Sequence, residues 1–86
     1  MNSRLVFGFC NVAFFATRPE GTETWFSTQS ERNRALTAVR ERATGAGLSE
    51  SAARAGIYPI TSTLAAVRGR IGPAVRVSDD LAALVF

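Results

Sequence analysis

The chain has no histidine and no lysine, and Cys10 is its single cysteine. Without His, no side chain titrates near neutral pH unless its surroundings move it there, so Ser, Thr and Cys lack their usual proton acceptor. A Ser-His-Asp or Cys-His arrangement is excluded. One cysteine can form neither an internal disulfide nor a CxxC pair, which rules out a stapled secreted scaffold and a thioredoxin-type redox motif. Zinc and redox iron need clusters of Cys, His or carboxylates, and Cys10 with seven scattered acids supplies none. Asp79-Asp80, the one adjacent acidic pair, projects its carboxylates in different directions on a helix or a strand, and reads as a helix start. No catalytic residue, metal or cofactor is expected, and the chain is read as non-enzymatic.

What is present suits a folded binding protein. Hydrophobic residues make up 47% of the 86 positions against 20% charged, which favours one compact domain over disorder. All ten positive charges are Arg, for a formal net charge of +3. Planar guanidinium groups suit phosphates, carboxylates and stacked interfaces, but so small a net charge permits polyanion binding without requiring it. With no disulfide framework, a cytoplasmic location is the default expectation, with Cys10 as a small apolar filler.

Arg4 followed by the apolar run from Leu5 to Ala16 has the charge and length that begin a signal peptide. Its cleavage region does not fit, because Phe14 stands where a small residue is needed, and the run is too short to span a bilayer as a helix. No membrane association is expected. Val and Phe favour a strand here, with Leu5, Phe7, Phe9 and Phe15 on one parity and Val6, Val12 and Phe14 on the other. A strand apolar on both faces needs two covers. One can be the chain's own helix, and the other needs a second chain or a further segment; a second copy would place Leu5, Phe7, Phe9, Val12 and Phe14 at the contact. Gly8 marks a bulge or a close backbone approach.

Arg18-Pro19-Glu20-Gly21 reads as a turn, and Thr22 to Thr28 as the second strand of a hairpin. Its Trp25 is a core residue or a stacking surface for a partner. Thr28-Gln29-Ser30-Glu31 matches a capping box and opens a helix over about residues 30–44, stopped by Gly45 and Gly47. Leu36, Val39 and Ala43 form its apolar stripe. Arg32, Arg34, Arg40 and Arg42 are spread around the same helix and read as a solvated exterior. Gly45-Ala46-Gly47 follows a helix and lacks the spacing of a phosphate-binding loop.

Ser49 can cap a short helix over residues 50–55, ended by Gly56, and Pro59 makes residues 57–60 extended or a turn. Thr61 or Ser62 can cap a helix through Leu64, Val67 and Arg68, ended by Gly69 or Gly72. Ala74 to Val77 has the composition of a third strand, and Ser78 opens a last helical turn over residues 81–86.

The stretch from Leu48 to Ile57, with a small residue four before Gly56 and an aliphatic after it, resembles the first helix and turn of the helix-turn-helix family. Ser62 stands where that family carries a buried aliphatic. The resemblance implies a reading helix near Leu64 and Val67, and Thr61, Ser62, Thr63, Arg68 and Arg70 as contacts to phosphates or bases. Independently, Arg68, Arg70 and Arg76 form the densest basic cluster without an intervening acid.

The sequence therefore predicts an α+β domain, an N-terminal antiparallel β-hairpin on a capped helix with a shorter helical C-terminal half and a third strand. Its expected role is protein binding, as an accessory or inhibitory protein that occludes a partner surface, with Arg68, Arg70, Arg76, Trp25 and Tyr58 facing the partner and a second copy on the first strand. Nucleic-acid binding over residues 48–70 is the alternative.

Overall fold

The computed structural model describes residues 4–14 and 22–86. Along the chain these form β1 (Leu5–Asn11), β2 (Thr22–Phe26), α1 (Gln29–Gly45), α2 (Glu50–Gly56), β3 (Ile57–Thr63), α3 (Leu64–Arg68), β4 (Val75–Val77) and α4 (Asp79–Val85). The strands make one sheet in the order β3-β1-β2-β4. β1 pairs antiparallel with both neighbours, and β4 joins β2 in parallel. The class is α+β, as expected. The turn expected at residues 18–21 and Phe15 lie outside the described residues.

Helices cover both faces of this sheet. Alternation along β1 sends Phe9 to one side, where it packs with Leu36 and Ala43 of α1, Ala53 of α2 and Ile57. Val6 goes to the other side, with Trp25, Leu64 and Val67 of α3 and Leu81 of α4. Residues apolar on both parities are thus satisfied inside one chain, as a three-layer arrangement. Of the two covers expected for the second face, a further segment of the same chain, α3 with α4, provides it, and the expected second copy on the first strand is corrected. Phe9 is buried, Phe7 and Phe14 are half-buried, and the two exposed residues of that set, Leu5 and Val12, lie toward opposite ends of β1.

β1 is also shorter than its apolar run. Asn11 is 5% exposed, and its Oδ1 accepts the Ala13 and Phe14 amides while its Nδ2 donates to the Phe14 carbonyl. These local bonds replace the strand ladder and turn the chain.

Capping explains the helix starts. Thr28 Oγ1 accepts the Glu31 amide and donates to the Glu31 carboxylate at 2.8 Å, a variant of the expected capping box. Ser49, Thr63 and Ser78 cap α2, α3 and α4 in the same way. Thr63, and not Thr61 or Ser62, therefore opens α3. At the end of α1 the Leu48 amide donates to Ala43 and the Gly47 amide to Thr44, with Gly47 at φ 110°. That paired closure needs a left-handed residue, which glycine adopts without steric cost.

Gly8 is a close approach, and not a bulge. It stands between Ile60 on β3 and Trp25 on β2, and the indole of Trp25 lies across it. A side-chain carbon at Gly8 would fall 2.7 Å from two ring atoms. Burying that indole to 1% exposure contributes roughly 4 to 6 kcal/mol of apolar transfer, so the vacancy at Gly8 serves the core directly. We expect Gly8→Ala to destabilise the protein by about 1 to 3 kcal/mol through overpacking. Urea denaturation followed by Trp25 fluorescence measures this, and unchanged stability would mean that the indole does not lie on the backbone.

Candidate functional site

The residues singled out in the sequence separate into different places. Trp25 is buried under α3 and α4. Its Nε1 donates to Glu23 Oε1 at 2.9 Å, and the same oxygen accepts Arg70 Nη2 at 2.9 Å. The Arg70 guanidinium also lies 5.6 Å from the indole centroid. Arg70 is therefore held by a carboxylate and an aromatic face. The acid that local sequence did not show comes from β2.

Arg68 donates to the Leu84 carbonyl at 2.8 Å and ties α3 to α4. Arg76 is opposite Thr24 in the β2–β4 register, which puts its side chain on the α1 face of the sheet, away from Trp25 and Arg70. The expected basic cluster is not one surface. Of the five residues expected to face a partner, Arg76 is exposed without a structural anchor of this kind, and Tyr58 is exposed with its hydroxyl on Cys10.

The helix-turn-helix geometry is likewise absent. Residues 57–63, where that resemblance placed the turn and the start of a second helix, are β3, paired with β1 from Leu5↔Thr63 to Asn11↔Ile57, so the extended alternative holds for residues 57–60. Thr61 and Ser62 lie in that strand and Thr63 at its end, and α3, at five residues, is short for a reading helix. Ile57 and Ile60 explain the difference. They reach the two opposite cores, and burying both requires the period of a strand.

Three further features emerge only in space. Tyr58, Cys10, Glu23 and Val75 form one row across all four strands. The Tyr58 hydroxyl meets Cys10, and burial first, then the Glu23 charge, push the thiol above its ordinary range, while the Tyr58 hydrogen bond and Arg70 pull it down. Tyr58 is itself shifted up, chiefly by that hydrogen bond. The row holds a neutral thiol, which is a poor nucleophile at neutral pH. Among the described residues no group of three or more His, Cys, Asp or Glu is placed to hold a metal ion.

The second feature is a shallow groove of about 180 Å³ between α1 and α2, lined by Thr37, Arg40, Glu41, Thr44, Glu50, Ala53 and Arg54. Arg40 does not reach into it freely. Its Nε donates to the Ile57 carbonyl at 2.8 Å, and burial with the neighbouring Arg54 charge holds its pKa below the usual value.

The third feature is the contrast between the sheet edges. β4 is three residues long and carries Arg76 at its centre, a short and charged edge that discourages further pairing. β3, on the opposite edge, has seven residues, Ile-Tyr-Pro-Ile-Thr-Ser-Thr, with no charge and mostly strand-forming side chains. Tyr58, Pro59 and Thr61 are exposed along it.

The backbone groups that β3 turns outward follow from its register. Val12 N–H donates to Gly56 O and Leu64 N–H to Arg4 O, which fixes the hydrogen-bonded positions of the β1–β3 pair as the even ones. Ile57, Pro59, Thr61 and Thr63 therefore direct their backbone groups away from β1. Arg40 occupies the Ile57 carbonyl, and helix α3 begins after Thr63. Between these stops lies an open window from Pro59 to Thr63. No sequence signal marked it, because an edge strand and an internal strand can share one composition.

No family model, no curated protein and no solved structure matches the chain.

Two outcomes test these placements. Arg70→Ala should lower stability by about 1 kcal/mol, because half of the side chain stays solvated while it stacks on Trp25 and pairs with Glu23. Arg76→Ala should leave the melting temperature within a degree or two; equal effects of the two changes would contradict the separation. For Cys10, the folded pKa lies above the unfolded one, so its stabilising contribution is complete below the unfolded value and is lost as pH rises through the folded value. Alkylation by iodoacetamide should be slow at neutral pH, accelerate only in the alkaline range, and become slower still in Tyr58→Phe, which removes the hydrogen bond that lowers the thiol pKa. Faster alkylation in that variant would disprove the contact.

Proposed function

We propose that this protein is a non-catalytic binding module that accepts an extended segment of another protein along the β3 edge, and acts as an accessory or inhibitory factor by occluding that segment. The observation that carries this reading is the asymmetry of the sheet: a short edge with a central arginine at β4 against a longer uncharged one at β3. Strand addition draws affinity from main-chain hydrogen bonds and selectivity from alternate side chains. Here Tyr58, Ile60 and Ser62 flank the edge on the α3/α4 side, and Pro59, Thr61 and Thr63 on the α1 side. Pro59 carries no N–H and limits promiscuous pairing without closing the window.

Thr61 is the residue on which the reading turns. Its N–H faces outward, so Thr61→Pro removes an edge donor and leaves the β1–β3 ladder whole. Panning a phage-displayed random peptide library on the wild-type protein should enrich extended, β-branched peptides, and Thr61→Pro should abolish their capture. Arg76→Ala, on the far edge, should keep it. Enrichment that survives Thr61→Pro would move the binding surface elsewhere.

A further inference from the structure

Resting on the edge-strand reading, we infer that the partner best matched to β3 is β3 of a second copy of this chain, paired antiparallel about a two-fold axis through Thr61. The open window runs from Pro59 to Thr63 and is symmetric about Thr61. In an antiparallel pair centred there, Thr61 of one copy exchanges N–H and C=O with Thr61 of the other, and the Thr63 N–H of each meets the Pro59 carbonyl of its mate.

The two features that would weaken pairing with an arbitrary strand cancel in this register. Pro59 has no N–H to give, and the group it would face is the Thr63 carbonyl of the second copy. That carbonyl belongs to the N-cap of α3, and an N-cap carbonyl already accepts the first helical bond. No acceptor is left waiting for a donor that proline lacks. The partial charges along the window are thus self-complementary, and no charged side chain of β3 opposes its own image.

The ends of the window fit the same register. Arg40 holds the Ile57 carbonyl on one side, and the chain leaves the sheet into α3 on the other, so a one-pair slip in either direction meets a blocked group. The result is a continuous sheet of two four-stranded halves, β4-β2-β1-β3 followed by the same order reversed. Thr61 side chains of the two copies then lie directly opposite on the α1 face, at the distance where cross-strand pairs interact. A contact confined to so short a strand buries little area, and the expected association is weak, in the micromolar range.

Opposed charges at the axis test this. Sedimentation equilibrium from micromolar to millimolar protein should show a monomer–dimer equilibrium for the wild type, weakened at least about tenfold in Thr61→Glu and in Thr61→Arg, since each places like charges face to face. An equimolar mixture of the two variants should recover dimer, because only the mixed pair opposes unlike charges. In amide exchange, Thr61 and Thr63 should gain protection as concentration rises. A wild type that stays monomeric to millimolar concentration, or dimers indifferent to both charge changes, would overturn the inference. A monomeric wild type whose peptide capture is still abolished by Thr61→Pro would refute the second copy while the edge-binding reading stands; if capture also survives Thr61→Pro, both fall. Should Thr61→Pro fail to fold, the recovery seen on mixing Thr61→Glu with Thr61→Arg carries the homodimer test alone.

Discussion

Burial of both faces of β1 is the constraint from which the rest of this fold follows. A seven-residue strand at the interior of the sheet carries Val6 toward one core and Phe9 toward the other, and each needs an apolar cover. The long capped helix α1 supplies one with the help of α2. The short helices α3 and α4 supply the other, and they can do so only because β3 and β4 bring the chain back to the sheet before each of them. A protein of this length buries a modest fraction of its surface, so three thin layers leave little spare core. Every element is used once.

Arginine takes structural roles that lysine and histidine hold in other proteins. Arg32 is 5% exposed, although its position among the helix-one arginines suggested a solvated face. Its Nη1 donates to the carbonyls of Gly8 and Ile60, each at 3.1 Å, and its Cζ lies 5.8 Å from the Phe7 ring centroid. Gly8 and Ile60 are register partners, so one guanidinium clasps β1 to β3 from the helix above. Arg40 repeats the device at Ile57, and Arg70 fixes the loop after α3 over Trp25. A fork of several donors can satisfy two carbonyls at once, which an ammonium cannot do in a plane. The basic composition is thus partly internal scaffolding, and it says correspondingly less about polyanions.

Side chains that bridge elements also explain which surfaces remain for function. Trp25, Arg68 and Arg70, attractive as partner contacts in the sequence, are engaged by Glu23, Leu84 and one another. What stays open is backbone: the outward groups of β3 between Arg40 and the start of α3. A main-chain edge has no residue signature. Charged clusters and exposed aromatics therefore do not point to Thr61 as an edge donor, and in the sequence it stands out only as a contact implied by the helix-turn-helix resemblance.

The sequence by itself determined the local structure. The Thr28 and Glu31 cap, the Gly47 stop, the Ser49 and Ser78 caps and the alternation through Trp25 are interactions between near neighbours, and each was legible at its own position. So was the need for two covers on β1. Tertiary structure decided who provides them. Residues 57–63 could be turn, helix start or strand by composition, and pairing with β1 along the full length of Leu5–Asn11 selected the strand. That choice carried α3 and then α4 to the second face, made an external partner unnecessary there, and dispersed the basic residues between the two faces. The physical reason is one of range: caps and turns are settled within a few residues, whereas the side of the sheet on which a helix lands depends on contacts between segments distant in the chain.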